Sequence, residues 1–313
     1  MLLSDAIDGY WLTNQRNFSR ATVADYSGTY RKFQVHIAPS GIDHIDAITA
    51  DHINAFLNQL AAQGLAKKTQ LNAWTALSSL WTWAEGVLGI PHVVRGIPRP
   101  RVQRHQPDPY TAEQVRALLD AAQYSAPWEG RYAGARSKRP TWLRDRAIML
   151  LLLDTGMRAS ELCALKVADY DRKNGRIQIA HGKGDKPRVV FAGYVARQAI
   201  WRYQQDLQRK RDGATLARPE PLFGTSAGRP LDRSQLLHMI RNAGQRAGIP
   251  NANAHRFRHT CAVTMLRNGA SAFVIQEILG HVDMSTIRLY IKLAEIDLEQ
   301  AMRIASPADA WRL

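Results

Sequence analysis

Residues 176–192 read RIQIAHGKGDKPRVVFA. β-Branched residues stand on both sides of a Gly-rich polar turn, and this pattern predicts two short strands joined as a hairpin. No other stretch of the sequence reads as a convincing strand pair, whereas apolar residues at helical spacing occur on both sides of it. The sequence therefore predicts a mainly α protein with a small β-sheet.

Helical patterns extend outward from this hairpin towards both ends of the chain. One helix is predicted to begin near Thr49 and to end before Gly64, and its apolar face is formed by Ile53, Phe56, Leu57 and Leu60. A second begins near Ala66, and a third begins at Thr111, which resembles a capping box with Gln114. The first ninety or so residues contain little that resembles a strand.

A change of composition divides the chain. Between Gly89 and the helix predicted at Thr111, five prolines and four arginines leave no helical period. We therefore expect a helical domain over residues 1–92, a basic proline-rich linker over 93–108 and a second domain over 109–313. The linker is either an ordinary disordered hinge or a segment whose arginines follow a phosphate backbone, and these arginines are Arg95, Arg99, Arg101 and Arg104.

The charge balance points to polyanions. Lys and Arg total 42 against 27 Asp and Glu in 313 residues, a net charge of +15. Nucleic acid is the first partner to consider, and a solubilising surface charge is the alternative. The helix that begins near Ala66 carries hydrogen-bonding side chains on its first turns, which are either solvated or lie against phosphates: Lys67, Lys68, Thr69 and Asn72.

The N-terminal stretch MLLSDAIDGYWL has acidic residues where a signal peptide carries positive charge. No apolar run approaches the roughly 20 residues of a membrane span. We therefore expect a cytoplasmic, nucleoid-associated protein without a membrane partner.

Two local groups carry candidate cations. In TGMRASELCAL, Arg158 either pairs with Glu161 or presents its planar guanidinium to a phosphate. At the tip of the predicted hairpin, Lys183 stands between two glycines and is either a solvated lysine or one that reaches into a groove.

Two further groups add histidines and a tyrosine. In AHRFRHT, His255 and Arg258 share one helix face and His259 follows, so the group is either a structural cluster or a site for one anionic group. In ILGHVDMSTIRLYIKL, His281 follows an apolar helix, and Tyr290 is either a core residue or a nucleophile.

Together these groups suit a metal-free attack on a phosphodiester, so we expect no cofactor and no metal. The arginines would neutralise the nonbridging oxygens as charge builds in the transition state. A tyrosine would form a covalent phosphotyrosine, which divides strand exchange into two steps. Histidines and a lysine would hold or move protons.

The order of these residues resembles the catalytic signature of tyrosine recombinases of the phage-integrase family. The similarity includes TGMRxSEL, the GKGxKxR turn, HRFRHT and LGHxxxxxTxxxY, and it extends from about Thr111 to Leu298. The N-terminal part is similar more loosely, through ATVADYSGTYRKF and WTWAEG. The resemblance implies a helical core-binding (SAM-like) N-terminal domain plus an α+β catalytic domain.

The resemblance also implies residue roles. Tyr290 would attack the scissile phosphate, form a 3'-phosphotyrosine and release a 5'-hydroxyl that joins the partner duplex through a Holliday junction. The remaining roles are phosphate clamping by Arg158 and Arg258, proton transfer by His255, hydrogen bonding to the transition state by His281, general acid catalysis by Lys183, and support by Glu161 and His259.

Members of the family typically act as tetramers on two double-stranded DNA sites, so we expect a homo-tetramer on paired sites. The architecture resembles the simpler Xer-like members, although the loop at 125–142 is longer and more basic than compact members have. A type IB-like topoisomerase and a catalytically silent DNA-binding protein remain as alternatives. A helical ligand-binding protein explains neither the charge nor the ordered motifs.

Overall fold

A computed structural model describes residues 1–102, 108–127, 134–180, 187–211, 217, 219–225, 228–280, 290–291, 306 and 308. The chain forms two compact units, Met1–His105 and Gln106–Leu313. Within the described residues, no helix is both long and apolar enough to cross a membrane.

The first unit is helical throughout its regular structure. Its helices are α1 (Leu3–Asn14), α2 (Arg20–Ile37), α3 (Ala50–Ala62) and α4 (Lys67–Leu88). The predicted helix after Thr49 is confirmed as α3, and its four predicted apolar residues are buried. The helix expected near Ala66 is confirmed as α4. Aromatic side chains fill much of this core, among them Tyr10, Tyr30, Phe33, Phe56 and Trp81.

The segment after α4 remains attached to the first unit for several residues. Gly89 ends the helix with a φ of +68°, a left-handed conformation that glycine adopts without steric cost. Val94 and Ile97 then return to the core of the unit and are buried there. Part of the stretch at 93–108 is therefore packed on the helices of the first unit.

The second unit combines helices with one small sheet. Its helices are α5 (Ala112–Gln123), α6 (Trp142–Thr155), α7 (Ala159–Ala164), α8 (Tyr194–Lys210), α9 (Arg233–Arg246), α10 (Ala254–Arg267) and α11 (Ala272–Leu279). The predicted strand pair is confirmed as β1 (Arg176–Ile179) and β2 (Arg188–Phe191), which are antiparallel and pair Ile177 with Val190. The mainly α fold with a small sheet is thus as expected.

Helix α6 is the centre of the second unit. Its residues from Ala147 to Leu152 are buried on every side, as in a helix that is surrounded by other elements. It packs against α5, α8 and α10. The C-terminal end of this buried helix leads directly to Arg158, so the core of the unit determines where that arginine begins.

The basic loop at 125–142 is held to its own unit by the side chains that the structure describes. Arg136 pairs with Asp120 (3.0 Å) and lies over the ring of Tyr124. Arg139 donates to the fully buried carboxylate of Asp145 at 2.9 Å. These two arginines stabilise the loop, and residues 128–133 lie outside the described part of the chain.

Candidate active site

Three arginines converge on the C-terminal end of α11. The last carbonyls of a helix have no partner within the helix and carry the negative end of its dipole, so cations bind there readily. Three consecutive carbonyl oxygens each accept a guanidinium N–H, in the pairs Arg188 to Ile278 (2.8 Å), Arg258 to Leu279 (2.8 Å) and Arg158 to Gly280 (3.1 Å). Three positively charged side chains from distant parts of the unit therefore meet at this helix end.

The backbone at Gly156 brings Arg158 to this place. Gly156 ends α6 with a φ of +56°, and a Cβ atom there would lie only 2.6 Å from Cδ2 of Leu279. Only glycine satisfies both the left-handed conformation and the close contact with α11. The glycine of the TGMR motif thus allows the turn that carries Arg158 to the helix end.

Glu161 is the buried carboxylate of the site. Its side chain is 2% exposed and accepts N–H bonds from the Arg158 backbone (2.7 Å) and guanidinium (2.8 Å). Arg188 adds a bidentate pair at 2.8 and 2.7 Å. Burial opposes ionisation of Glu161, but these hydrogen bonds and charges outweigh it and lower the pKa to about 2. Glu161 is therefore an anion at neutral pH.

Arg158 is accessible as well as paired. Its side chain is 28% exposed, although it contacts both Glu161 and Gly280. Each of these contacts uses one N–H of a guanidinium that has five, so donors are left for an incoming oxygen. The ion pair with Glu161 and the presentation to a phosphate, which the sequence leaves as alternatives, are compatible in one geometry.

Arg258 is the more deeply buried of the two predicted clamp residues. It donates to the carbonyls of Gly156 and Leu279, both at 2.8 Å. Burial, together with the nearby positive charge of Arg158, lowers the pKa of Arg258 to about 10, so the side chain stays cationic at pH 7. Arg158 and Arg258 therefore form a compact pair of positive charges.

His255 occupies the first turn of α10, on the side of Arg258. Its side chain is exposed at the surface of the unit. Partial loss of hydration, and then the charges of Arg258 and Arg158, lower the pKa of His255. The imidazole is consequently neutral at pH 7, which is the form that accepts a proton.

Tyr290 is buried beside α10. Its side chain is 1% exposed, packs with Val263 and Leu279, and its ring centroid is 5.0 Å from that of His259. Burial raises the pKa of Tyr290, although the charge of Arg258 acts in the opposite direction. The phenol is therefore protonated at neutral pH.

His259 is buried without an evident polar partner. Among the described residues, neither of its ring nitrogens has a hydrogen-bond partner. Burial, followed by the proximity of His255, lowers the pKa of His259 to about 4. The ring contact with Tyr290 is thus made by a neutral imidazole.

The structure brings together most of the predicted site. Arg158, His255, Arg258 and Tyr290 lie in one cluster with Glu161 and His259, whereas Lys183 and His281 fall outside the described residues. Sequence reasoning did not assign a role to Arg188, the bidentate partner of Glu161. The signal was present, since Arg188 is the final residue of the GKGxKxR pattern.

The first unit contains a polar groove between α2 and α4. It has a volume of about 290 Å³ and includes three of the predicted DNA contacts, Lys68, Asn72 and Arg99. Hydrogen-bonding side chains from α2 form the opposite wall, namely Thr22, Asp25, Tyr26 and Thr29. Arg99 also lies over the ring of Trp74 at 5.9 Å.

The other predicted contacts do not join this groove. Lys67, Thr69 and Arg101 are exposed elsewhere. Arg95 pairs with Glu85 through two hydrogen bonds of 3.1 and 2.6 Å, so part of its charge is already balanced. Arg104 lies outside the described residues.

Two family models match the chain. Residues 110–296 match the model described as "Phage integrase family", and residues 7–86 match "Phage integrase, N-terminal SAM-like domain". The first match includes every residue of the candidate active site, and the second includes most of the groove between α2 and α4.

Relatives and solved structures agree with these matches. The chain is 32% identical to the tyrosine recombinase XerC of Mycobacterium sp. (strain JLS), over 91% of this chain and 92% of that protein. It is 29% identical to the tyrosine recombinase XerD of Corynebacterium glutamicum, over 95% and 96% of the two chains. A lambda integrase tetramer bound to a Holliday junction shares the fold, with a TM-score of 0.70 at 17% identity, over 96% of this chain and 80% of that one.

Proposed function

Because the chain belongs to the phage integrase family, a family of enzymes that cut and rejoin DNA strands, we propose that Tyr290 is the nucleophile of its site-specific recombination. The observation that carries this proposal is the meeting of Arg158 and Arg258 at the end of α11, with Tyr290 packed in the hydrophobic cluster that joins α10 and α11.

The first chemical step forms one bond and breaks one. The Tyr290 oxygen attacks the scissile phosphorus, and the bond from phosphorus to the 5'-oxygen breaks. The products are a 3'-phosphotyrosine and a free 5'-hydroxyl. One phosphate ester replaces another, so the reaction needs no external energy source, and the hydroxyl of a partner strand reverses it on the new duplex through a Holliday junction.

Arg158 and Arg258 stabilise the charge that develops on the nonbridging oxygens. Both are cations held in place before substrate arrives, so little reorganisation is required in the transition state. Arg158 reaches the phosphate through its exposed edge. Arg258, which is fixed by two carbonyls, supplies charge from the buried side.

The proton of Tyr290 needs an acceptor, because the phenol is protonated at neutral pH. His255 is neutral and stands on the same helix as Arg258, and we assign it that role. Lys183 then protonates the departing 5'-oxygen, and His281 hydrogen-bonds the transition state. These last two assignments rest on the family motif.

Tyr290 has to move before it can attack. At 1% exposure, its hydroxyl is closed to a phosphate, so the ring must leave its contacts with His259 and Val263. We expect DNA binding to favour this displacement. The burial of the nucleophile would then limit cleavage away from a bound site.

The groove between α2 and α4 is our proposed DNA contact of the first unit. Lys68 and Arg99 supply charge for phosphates, while Asn72 supplies a donor and an acceptor. Such a groove can fix the position of the protein on a duplex.

Two copies on each of two sites would form the active assembly. This tetramer is proposed by analogy with the lambda integrase structure on a Holliday junction. A location on bacterial DNA is proposed from the similarity to the bacterial tyrosine recombinase XerD. The nucleotide sequence of the site depends on base contacts that are made only in a complex.

A covalent adduct tests the function. The protein is incubated with a duplex selected for binding and nicked beside the cleavage position, so that the freed strand diffuses away and the adduct accumulates. We expect a protein–DNA band on a denaturing gel, which is lost in Tyr290→Phe and kept in the matched control Tyr194→Phe, whose ring is 74% exposed. Absence of an adduct on DNA that the native chain binds would overturn the proposal.

A further inference from the structure

We infer that Arg188 is a positioning residue of the recombination site, which keeps Arg158 available to the phosphate by neutralising Glu161. This inference rests on the proposed function. It assigns a role to a side chain at the start of β2, which does not itself contact the phosphate.

Arg188 is built into the site by three hydrogen bonds. Two of its N–H groups donate to the two oxygens of Glu161, and Nε donates to the carbonyl of Ile278 at 2.8 Å. Its side chain is nearly buried. The bidentate geometry satisfies both oxygens of the carboxylate at once, which a lysine at this position cannot do.

Glu161 would otherwise compete with the phosphate for Arg158. A buried carboxylate that has lost its bidentate partner draws on the cations that remain, and Arg158 is already bonded to it at 2.8 Å. With Arg188 present, Glu161 needs only one N–H of the Arg158 guanidinium. Without Arg188, we expect both terminal N–H groups of the Arg158 guanidinium to bind Glu161 and to turn away from an incoming oxygen.

Close packing supports the position of Arg188 at the helix end. A Cβ atom on Gly280 would lie 3.0 to 3.1 Å from the Arg188 guanidinium, and Gly280 has a φ of +71°. The glycine therefore leaves room for this arginine as well as adopting a left-handed backbone. The same helix end then accepts Arg158 and Arg258, so a shift of Arg188 affects both clamp residues through a shared element.

The first test compares Arg188→Met with Arg176→Met. Arg176 is a matched control, since it lies on the other strand of the same sheet and is exposed, and its guanidinium donates to Gln178 at 3.0 Å. We expect Arg188→Met to slow formation of the phosphotyrosine by about a hundredfold on a bound duplex, as a small misplacement of a catalytic group does. Arg176→Met should retain the native rate.

A neutral substrate separates positioning from general damage. A methylphosphonate at the scissile position lacks the charge that Arg158 has to neutralise. On this substrate, a variant in which Arg158 is displaced or absent should therefore have a cleavage rate closer to that of the native protein. We expect the deficits of Arg158→Ala and Arg188→Met both to shrink on this substrate. A merely misfolded variant would keep the same deficit on both substrates.

A double variant guards against loss of folding. Arg188→Met with Glu161→Gln removes the competing anion together with its partner, so we expect it to be more active than Arg188→Met alone. A native rate for Arg188→Met, or a deficit that the neutral substrate and the double variant both leave unchanged, would overturn the inference. Failure of the native chain itself to form an adduct would instead overturn the proposed function.

Discussion

Glu161 and His259 are both buried next to the candidate clamp, and burial opposes the charged form of each, but only His259 is neutral at pH 7. Glu161 keeps its negative charge because two arginines donate to it, and its pKa falls to about 2. His259 stays neutral because burial disfavours the imidazolium, and its pKa falls to about 4. The site therefore contains one fixed anion and one neutral ring at pH 7.

These two pKa shifts destabilise the catalytic unit in different acid ranges. Glu161 is stabilised as an anion, so its contribution is complete above its ordinary value of 4.5 and is lost as the pH falls towards 2. For His259, the unfolded chain binds a proton that the folded chain refuses between pH 6.5 and about 4. As the pH falls below 6.5, protonation of His259 in the unfolded chain is therefore the first of the two effects to lower the free energy of unfolding.

We predict that His259→Phe protects the catalytic unit against mild acid. The phenylalanine keeps a buried ring beside Tyr290 but cannot take up a proton in the unfolded state. The free energy of unfolding of the variant minus that of the native chain should increase by roughly 2 kcal/mol when the pH is lowered from 7 to 4.5. Urea unfolding at each pH measures this difference, and exposed His238→Phe is the control. Parallel curves for native and variant would contradict the assignment.

At the scale of elements, α4 shows how one helix serves two surfaces. Ala73, Ala76, Leu77 and Leu80 face the core of the first unit, whereas Lys68 and Asn72 face the groove. The opposite wall belongs to α2, which presents two threonines, a tyrosine and the carboxylate of Asp25. A duplex that docks here would be held mainly by phosphate contacts from α4 and Arg99.

We predict that Lys68→Ala and Arg99→Ala each weaken DNA binding at every sequence. Each removes one phosphate contact, so the slope of log K against log salt should become shallower by about 1. Arg31→Ala is the matched control, since Arg31 is nine residues after Thr22 and so lies about 180° round α2 from it. Binding titrations at several salt concentrations give the slopes. An unchanged slope in both groove variants would remove the groove from the DNA interface.

At the scale of the whole molecule, the excess of positive charge suits association with a polyanion. The net charge of +15 attracts any DNA, so site selection has to come from the contacts of the two units and from assembly. Assembly matters because strand exchange joins two duplexes. A copy has one Tyr290, so a second copy has to cleave the partner duplex before strands can be exchanged.

We predict that the chain forms a tetramer when two sites are present. Light scattering should give a mass of four chains and two duplexes with paired sites, and smaller complexes on single sites. Duplexes of scrambled sequence are the control. Only monomers on paired sites, together with relaxation of supercoiled DNA that lacks a site, would favour a topoisomerase of the type IB kind.

The local elements could be predicted from the sequence because the interactions that define them are short in range. The bonds of the Thr111 capping box join residues three positions apart, and the paired strands β1 and β2 are separated by only eight residues along the chain. The ordered motifs likewise indicate the family and the clustering of Arg158, His255, Arg258 and Tyr290. The roles of these residues remain predictions.

Only the tertiary structure decided which groups meet at the end of α11. Arg158 and Gly280 are 122 positions apart, and Arg188 and Ile278 are 90 apart, so no periodicity or capping pattern relates them. The same holds for the burial of Tyr290 against His259 and for the pairing of Arg95 with Glu85, which its position in a basic stretch does not indicate. Sequence specifies local hydrogen bonds and apolar faces, whereas the packing of those faces against one another determines which distant charges become neighbours.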